Sequence, residues 1–193
     1  LLTGFSILLS RYSGQKDIIV GSPVANRNRS ELEGLIGFFV NTLVLRMDCS
    51  DDPSFRTLLD RTRQITLEAY DHQDVPFEQL VERLKPLRTR SYTPLFQVMF
   101  ILQNTPETTL ELPDLKITAL DQENIPAKYD LLLVMEEQNG GLRGEFEFNT
   151  DLFDAATVRR MIGHLEMLLE TAIGNPDQAC SRLPLLDQTE YHQ

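Results

Sequence analysis

Residues 129–174 constrain the fold of this chain more than any other stretch. Residues 129–136 are apolar and β-favouring, Asn139-Gly140-Gly141 follows, and Leu142, Gly144, Phe146 and Phe148 then alternate with Arg143, Glu145, Glu147 and Asn149. Asparagine and glycine tolerate the positive φ of tight primed turns, so this is a hairpin whose second strand has one apolar and one polar face. Immediately beyond, Asp154 stands as an N-cap before Val158, Met161, Ile162, Leu165, Leu168, Leu169 and Ala172, an apolar stripe at helical spacing that closes at Gly174. Burying that stripe contributes on the order of 10 kcal/mol gross, at about 1.5–3 kcal/mol for each large side chain. A half-buried antiparallel hairpin that feeds a helix with one face to bury belongs to a sheet covered by helices.

The rest of the chain extends the pattern. Leu1, Leu2, Phe5, Leu8, Leu9 and Tyr12 fall at helical spacing and Gly14 ends the run. No capping residue precedes Leu1, so the sequence opens inside a helix under way, and it lacks the basic start and small-residue cleavage site of a signal peptide. Residues 17–21 and 38–47 are rich in β-branched and aromatic side chains and predict strands, with a polar loop at 26–30 between them. Asp52-Pro53 predicts a helix start with the acid at the cap, carrying Phe55, Leu58, Leu59, Thr62, Ile65 and Ala69 to about Tyr70. A second helix starts near Pro76, presents Phe77, Leu80, Val81 and Leu84, and must end before Pro86. Further strands are predicted at 96–103 and 115–120. The expected architecture is an α/β sandwich with a mixed sheet, because the last hairpin is antiparallel whereas earlier strands are joined through helices. Residues 1–177 form this unit, and 178–193, with a proline and many polar residues, read as a linker.

Composition removes several classes of function. With 193 residues, 41% of them apolar, the chain can bury roughly two-thirds of its unfolded surface. Its net charge is −11, with 29 acidic against 18 basic residues, which repels a phosphate backbone and argues against nucleic-acid binding. The longest apolar runs, 98–102 and 131–135, are strand-sized, so no membrane span is expected. Cys49 and Cys180 are distant in sequence and have no His or Cys neighbours at metal-ligand spacing; two free thiols in a reducing cytosol is the ordinary reading and a disulfide the alternative. The expected location is cytoplasmic.

The familiar catalytic signatures are missing: there is no Gly-x-Ser-x-Gly elbow, phosphate loop, dinucleotide fingerprint or His-Glu-x-x-His. Of the three histidines, His192 lies in the expected linker and His164 beside the apolar stripe, where a surface or partly packed imidazole is ordinary. His72 has Asp71 and Asp74 nearby; it reads either as a polarised base or as a cation facing a helix C-terminus. Ser22, Asn41 and Gln97 are polar positions in or beside expected strands, each requiring a partner from backbone, water or ligand.

Six segments, in order, resemble the condensation domain of nonribosomal peptide synthetases. They are Ile18-Ile-Val-Gly-Ser-Pro-Val-Ala-Asn-Arg27, Ile36-Gly-Phe-Phe-Val-Asn-Thr-Leu-Val-Leu-Arg46, His72-Gln-Asp-Val-Pro-Phe-Glu78, Arg88-Thr-Arg-Ser-Tyr-Thr-Pro-Leu95 with Phe96-Gln-Val-Met-Phe100, Lys128-Tyr-Asp-Leu131, and Asn149-Thr-Asp-Leu-Phe-Asp154. Leu183-Pro-Leu-Leu186 looks like the lead-in to an adenylation domain. In the fourth segment Thr89, Tyr92 and Thr93 replace the Asp, Arg and Asn of the family pattern, which weakens its polar network and leaves the strand entry intact.

The resemblance implies a chloramphenicol-acetyltransferase-like fold, of which this chain is the C-terminal lobe in a V-shaped, two-lobed domain with a tunnel between the lobes. It implies that donor and acceptor carrier proteins deliver thioesters on phosphopantetheine arms, with no cofactor bound directly and no metal, and that the N-terminal lobe and an adjacent adenylation domain are partners. By the same carry-over Ser22, Arg27 and Asn41 are candidates to line the tunnel, with Asn41 either facing substrate or bridging backbone. His72, Asp74, Arg88, Ser91 and Pro94 brace the lobe, and a crossover after the 96–103 strand reaches the other lobe. The family's His-His-x-x-x-Asp-Gly motif belongs to that other lobe, and no His-His pair occurs here; the isolated chain is therefore expected to lack condensation activity. The alternative is a non-catalytic module that docks a carrier protein or adenylation domain, and an epimerisation domain is the more remote relative.

Overall fold

In a computed structural model, which describes residues 1–27, 29–86, 93–103, 126–138 and 140–186, five strands form one mixed sheet. They are β1 (Asp17–Val24), β2 (Asn41–Asp48), β3 (Val98–Gln103), β4 (Leu131–Gln138) and β5 (Gly141–Phe148), in the order β2-β1-β3-β4-β5. The β1–β2 and β4–β5 pairs are antiparallel, whereas β3 runs parallel to both β1 and β4. The helices are α1 (Leu2–Ser13), α2 (Ser30–Glu33), α3 (Phe55–Asp71), α4 (Phe77–Leu84) and α5 (Ala155–Gly174). No helix among the described residues is long and apolar enough to cross a membrane. The strand expected at 115–120 and the crossover after β3 lie outside the described residues.

Side-chain alternation assigns each face of the sheet. Ile18 and Val20 of β1, Leu43, Leu45 and Met47 of β2, Phe100 of β3, and Leu131, Leu133 and Met135 of β4 form one buried cluster with Phe5 and Leu8 of α1 and Met161 and Leu165 of α5. Ile65 and Ala69 of α3 pack against the same cluster. Thus α1, α3 and α5 cover one face, and residues of the opposite parity, Gly21, Pro23, Thr42, Met99 and Ile101, lie on the other. A Cβ on Gly4 of α1 would stand 2.5 Å from Leu169 Cδ2, so glycine there allows α1 and α5 their close approach.

Several boundaries depart from the pattern, each for a local reason. Strand β2 starts at Asn41 rather than near Phe38, because its pairing partner β1 ends at Val24, opposite Asn41. Residues 38–40 therefore have no ladder to join. Strand β1 runs on through Pro23; the ladder to β3 meets β1 at Gly21 alone, so the missing proline N–H interrupts nothing on that side. The cap of α3 is Ser54, whose hydroxyl accepts from the Thr57 N–H at 3.2 Å, rather than Asp52. Asp52 instead adopts φ 48° and accepts from the Ser181 N–H and Oγ at 2.9 and 2.7 Å, which holds its carboxyl below the usual carboxylate range. Asp154 does cap α5, accepting from the Thr157 N–H at 2.6 Å.

The expected linker begins as part of the folded lobe. Residues 175–186 dock across the start of α3 and the end of α1, with backbone hydrogen bonds from Phe55 to Gln178, Arg56 to Pro176 and Cys180 to Pro53. Arg56 and Asp177 pair at 2.7 Å, and Arg11 Nη1 donates to the carbonyls of Cys180, Ser181 and Leu183 at 3.2, 2.8 and 3.1 Å. The docking buries Cys180 and Leu183 in a second cluster with Ile7, Cys49, Phe55, Leu58, Leu168 and Ala172. Sequence polarity concealed this, because two apolar side chains among charged neighbours produce no period. Residues 187–193 lie outside the described residues.

Leu183 is 1% exposed. Leu183→Ala is therefore expected to lower unfolding free energy by about 2–5 kcal/mol in urea titration, as for other buried leucines; an unchanged midpoint would mean that the segment is not packed.

Cys49 and Cys180 are both free and both buried, and burial pushes the Cys180 thiol up to about 11. Neither thiol should react with an alkylating reagent at neutral pH until the chain unfolds, because the thiolate is the nucleophile. Labelling of the native protein at the rate of a free peptide thiol would contradict this.

Candidate functional site

The face without α1, α3 and α5 carries a cleft of about 700 Å³. Pro23, Thr42, Met99 and Ile101 form its floor, and this is possible because Gly21 has no side chain. Phe96 is 2% exposed, and a Cβ on Gly21 would lie 2.4 Å from its Cε2. Phe96 in turn holds Phe77 of α4 (centroids 5.6 Å apart, edge to face) and Tyr129 (5.8 Å), so three aromatic rings build one side of the cleft from three separate segments. A glycine inside an apolar strand was the available sequence signal for such a close approach.

The 74–78 turn carries Phe77 to the cleft, and Asn41 fixes it. Its Nδ2 donates to the carbonyls of Gln73 and Val75 at 2.6 and 2.8 Å, and its Oδ1 accepts from the Phe77 N–H at 3.1 Å. Helix α4 opens on Pro76 with no side-chain cap of its own, so Asn41 supplies the acceptor for its first N–H from 36 residues away. Of the two roles open to Asn41, the amide performs the backbone bridge, and it does so at the wall of the cleft.

The other expected tunnel residues take different positions. Ser22 shares its parity with Ile18, Val20 and Val24 and pairs with Leu43, so it sits on the helix-covered face and is absent from the cleft lining. Arg27 donates from Nη1 to the Leu32 carbonyl and stacks its guanidinium 4.5 Å from the Phe39 ring centroid. It holds the loop at the cleft mouth without lining the cleft. Asp74 does line it, as do Glu78 and Lys128. Lys128 Nζ lies 5.4 Å from the Tyr129 ring centroid. Pro94 and the positive-φ Leu95 (φ 73°) lead into β3, and Gln97 donates to the Thr93 carbonyl at 3.1 Å. Arg88 and Ser91 lie outside the described residues.

Neither described imidazole reaches the cleft. His72 ends α3, its Nδ1 2.9 Å from the Glu68 carbonyl, the helix-terminal position rather than that of a polarised base. His164 is 7% exposed, more deeply packed than expected, because α1 lies over it and its Nδ1 is 2.7 Å from the Tyr12 hydroxyl. That pair is on the helix side of the sheet. His192 lies outside the described residues. Among the described residues no group of His, Cys, Asp and Glu could hold a metal ion.

At the mouth of the cleft a loop offers apolar side chains to solvent: Ile36 is fully exposed and Phe38 91% exposed, with Leu35 and Val40 about half exposed. Apolar exposure on this scale beside a concave site marks a surface built to be covered.

Comparison with known proteins gives a consistent result. The family model described as Condensation domain matches residues 1–193. A linear gramicidin synthase of Brevibacillus parabrevis is 53% identical over 195 residues, which cover 100% of this chain and 4% of that protein. A dimodular nonribosomal peptide synthase of Bacillus subtilis (strain 168) is 45% identical over 197 residues, 99% of this chain and 8% of that protein. The chain thus spans a small fraction of these relatives. Among solved structures, the holo form of a four-domain nonribosomal peptide synthetase bound to AMP and glycine has a TM-score of 0.87 at 25% identity, covering 97% of this chain and 15% of that one. The X-domain of teicoplanin biosynthesis in complex with OxyB has a TM-score of 0.86 at 27% identity, covering 97% and 42%. The fold is that of the chloramphenicol-acetyltransferase-like lobe expected from the sequence.

Asn41→Ala leaves two carbonyls and one N–H of the cleft wall without their partner, which is expected to cost about 1–3 kcal/mol. Hydrogen exchange across residues 73–78 should accelerate while that of α5 is unchanged. Equal protection of residues 73–78 in the variant would show that the clamp is dispensable.

Proposed function

Because the chain belongs to the condensation-domain family over its full length, we propose that it forms one lobe of a peptide-bond-forming condensation enzyme in a nonribosomal peptide synthetase. In that reaction the amine nitrogen of an acceptor, tethered to a carrier protein by a phosphopantetheine arm, attacks the thioester carbonyl of a donor on a second carrier. A C–N bond forms, the C–S bond breaks, the donor arm leaves as its thiol and the amine gives up a proton.

The observation that carries this reading is the cleft on the open face: it is walled by the family-like segments around residues 38–42, 74–78 and 96, and it contains no described imidazole. Proton transfer to nitrogen and sulfur requires a titratable group near its working pH, and His is the usual choice. The cleft therefore suits a surface that positions reactants for a base held on an opposing wall. Positioning two tethered reactants and excluding water removes several kcal/mol from a bimolecular barrier. The exposed rim at residues 35–40 fits an N-terminal lobe as that opposing wall. In this reading residues 1–177 make the lobe and residues 178–193 lead toward an adenylation domain, with residues up to 186 fastened to the lobe. The partners are the N-terminal lobe, the two carrier proteins and the adenylation domain.

The test pairs the full-length protein with residues 1–193 alone, each supplied with loaded donor and acceptor carrier proteins. Dipeptidyl thioester should appear with the full-length protein and not with residues 1–193. Turnover by the 193 residues, or none by the full-length protein, would overturn the assignment.

A further inference from the structure

Gly21 has no backbone reason to be glycine. It lies in the interior of β1, paired with Val44 on one side and Met99 on the other, and its φ is not in the left-handed region. A glycine in a strand interior weakens the strand and marks a close approach by another group. That group is the Phe96 ring: a Cβ at position 21 would stand 2.4, 2.5 and 2.7 Å from its Cε2, Cζ and Cδ2. These are consecutive atoms of a rigid ring, so no swing of a flexible chain end relieves the clash. The whole ring would have to retreat from the sheet, and Phe77 and Tyr129, with centroids 5.6 and 5.8 Å away, stand against it. All three rings line the cleft. The backbone holds the Phe96 ring down at a cost, since Leu95 just before it adopts φ 73°, a left-handed conformation that a bulky side chain rarely takes. A strand glycine, a strained leucine and a buried ring thus converge on one dimension of the cleft, its depth along the aromatic side.

We propose that Gly21 and Phe96 are a specificity-determining pair for the condensation step and fix the largest group that the cleft admits. Gly21 is absent from the cleft lining, so it is a positioning residue that acts through the ring. The proposal rests on the condensation reading above and adds to it the residues that set its size limit. Gly21→Ala lifts the ring and narrows the cleft, whereas Phe96→Leu shortens the wall and widens it. Made together, the two changes nearly conserve volume, the kind of exchange that packed sites tolerate best. The pair should therefore show opposed and coupled effects on size preference, and not merely coupled effects on stability.

Calorimetry on the full-length protein measures its affinity for alanyl-, phenylalanyl- and naphthylalanyl-pantetheine amides, which carry nitrogen in place of the thioester sulfur and do not react. Gly21→Ala should weaken binding of the phenylalanyl amide about tenfold, one decade in Kd, and that of the alanyl amide by less than about twofold. Phe96→Leu should bind the naphthylalanyl amide about tenfold more tightly than the parent does. The double variant should return all three affinities to within about threefold of the parent. If Gly21→Ala alone does not fold, Phe96→Leu and the double variant carry the test. Equal losses for the alanyl and phenylalanyl amides in Gly21→Ala, no gain for the naphthylalanyl amide in Phe96→Leu, no return in the double variant, or no binding of the phenylalanyl amide by the parent would each overturn the proposal. Affinity is read here without turnover. A protein that forms no peptide yet shows these shifts would defeat the condensation reading alone, and one that forms peptide with unshifted affinities would defeat the pair alone.

Discussion

The structure depends on the one-sidedness of its sheet. Three helices cover one face, so every second residue of β1, β2 and β4 is committed to the core, and the residues between them are left to a different purpose. Gly21 then decides how the second face is finished. Without a side chain there, the Phe96 ring lies directly on the sheet and is buried, and Phe77 and Tyr129 lean on it in turn. A cleft with an aromatic side and an apolar floor results from the absence of a single methyl group.

The two sides of the molecule differ in how firmly they are held. Helix α5 buries six residues along its length and has its own aspartate cap, whereas α4 buries none and has no side-chain cap. Its first residue, Phe77, packs on Phe96 and donates its N–H to Asn41 Oδ1. Segments secured by so few contacts open locally well below the global unfolding free energy. The wall that carries Asp74 and Glu78 therefore belongs to the less stable part of the lobe, and its position depends on one amide in the strand that it adjoins.

Residues 175–186 have the opposite character. They join the ends of α1 and α3 through Arg11, Asp52 and Asp177, and they fill the second cluster with Cys180 and Leu183. In a chain of net charge −11 the salt bridges here are exposed and individually weak, so the buried leucine and the backbone hydrogen bonds do most of the fastening. Residues 175–186 thus lie on the helix side of the sheet, away from the cleft.

Much of the fold was legible because period and capping are local. The hairpin at Asn139-Gly140-Gly141, the alternation through Phe148, the cap at Asp154 and the stripe from Val158 to Ala172 follow from the chain's own spacing, and they alone required a helix-covered sheet. The ordered resemblance across residues 18–154 named the family that the comparisons support. What the sequence could not decide depended on distant segments meeting. Whether Asp52 or Ser54 caps α3 turned on Ser181; whether β2 starts at Phe38 or Asn41 turned on where β1 stops; and the placement of Ser22 on the covered face turned on register. Asn41 is the clearest case: as a residue it was equally suited to substrate and to backbone, and only the arrival of residues 73–77 at its side chain, a contact over more than thirty residues of chain, assigned its hydrogen bonds. Local patterns determine which elements form, whereas long-range packing determines which polar groups remain for chemistry.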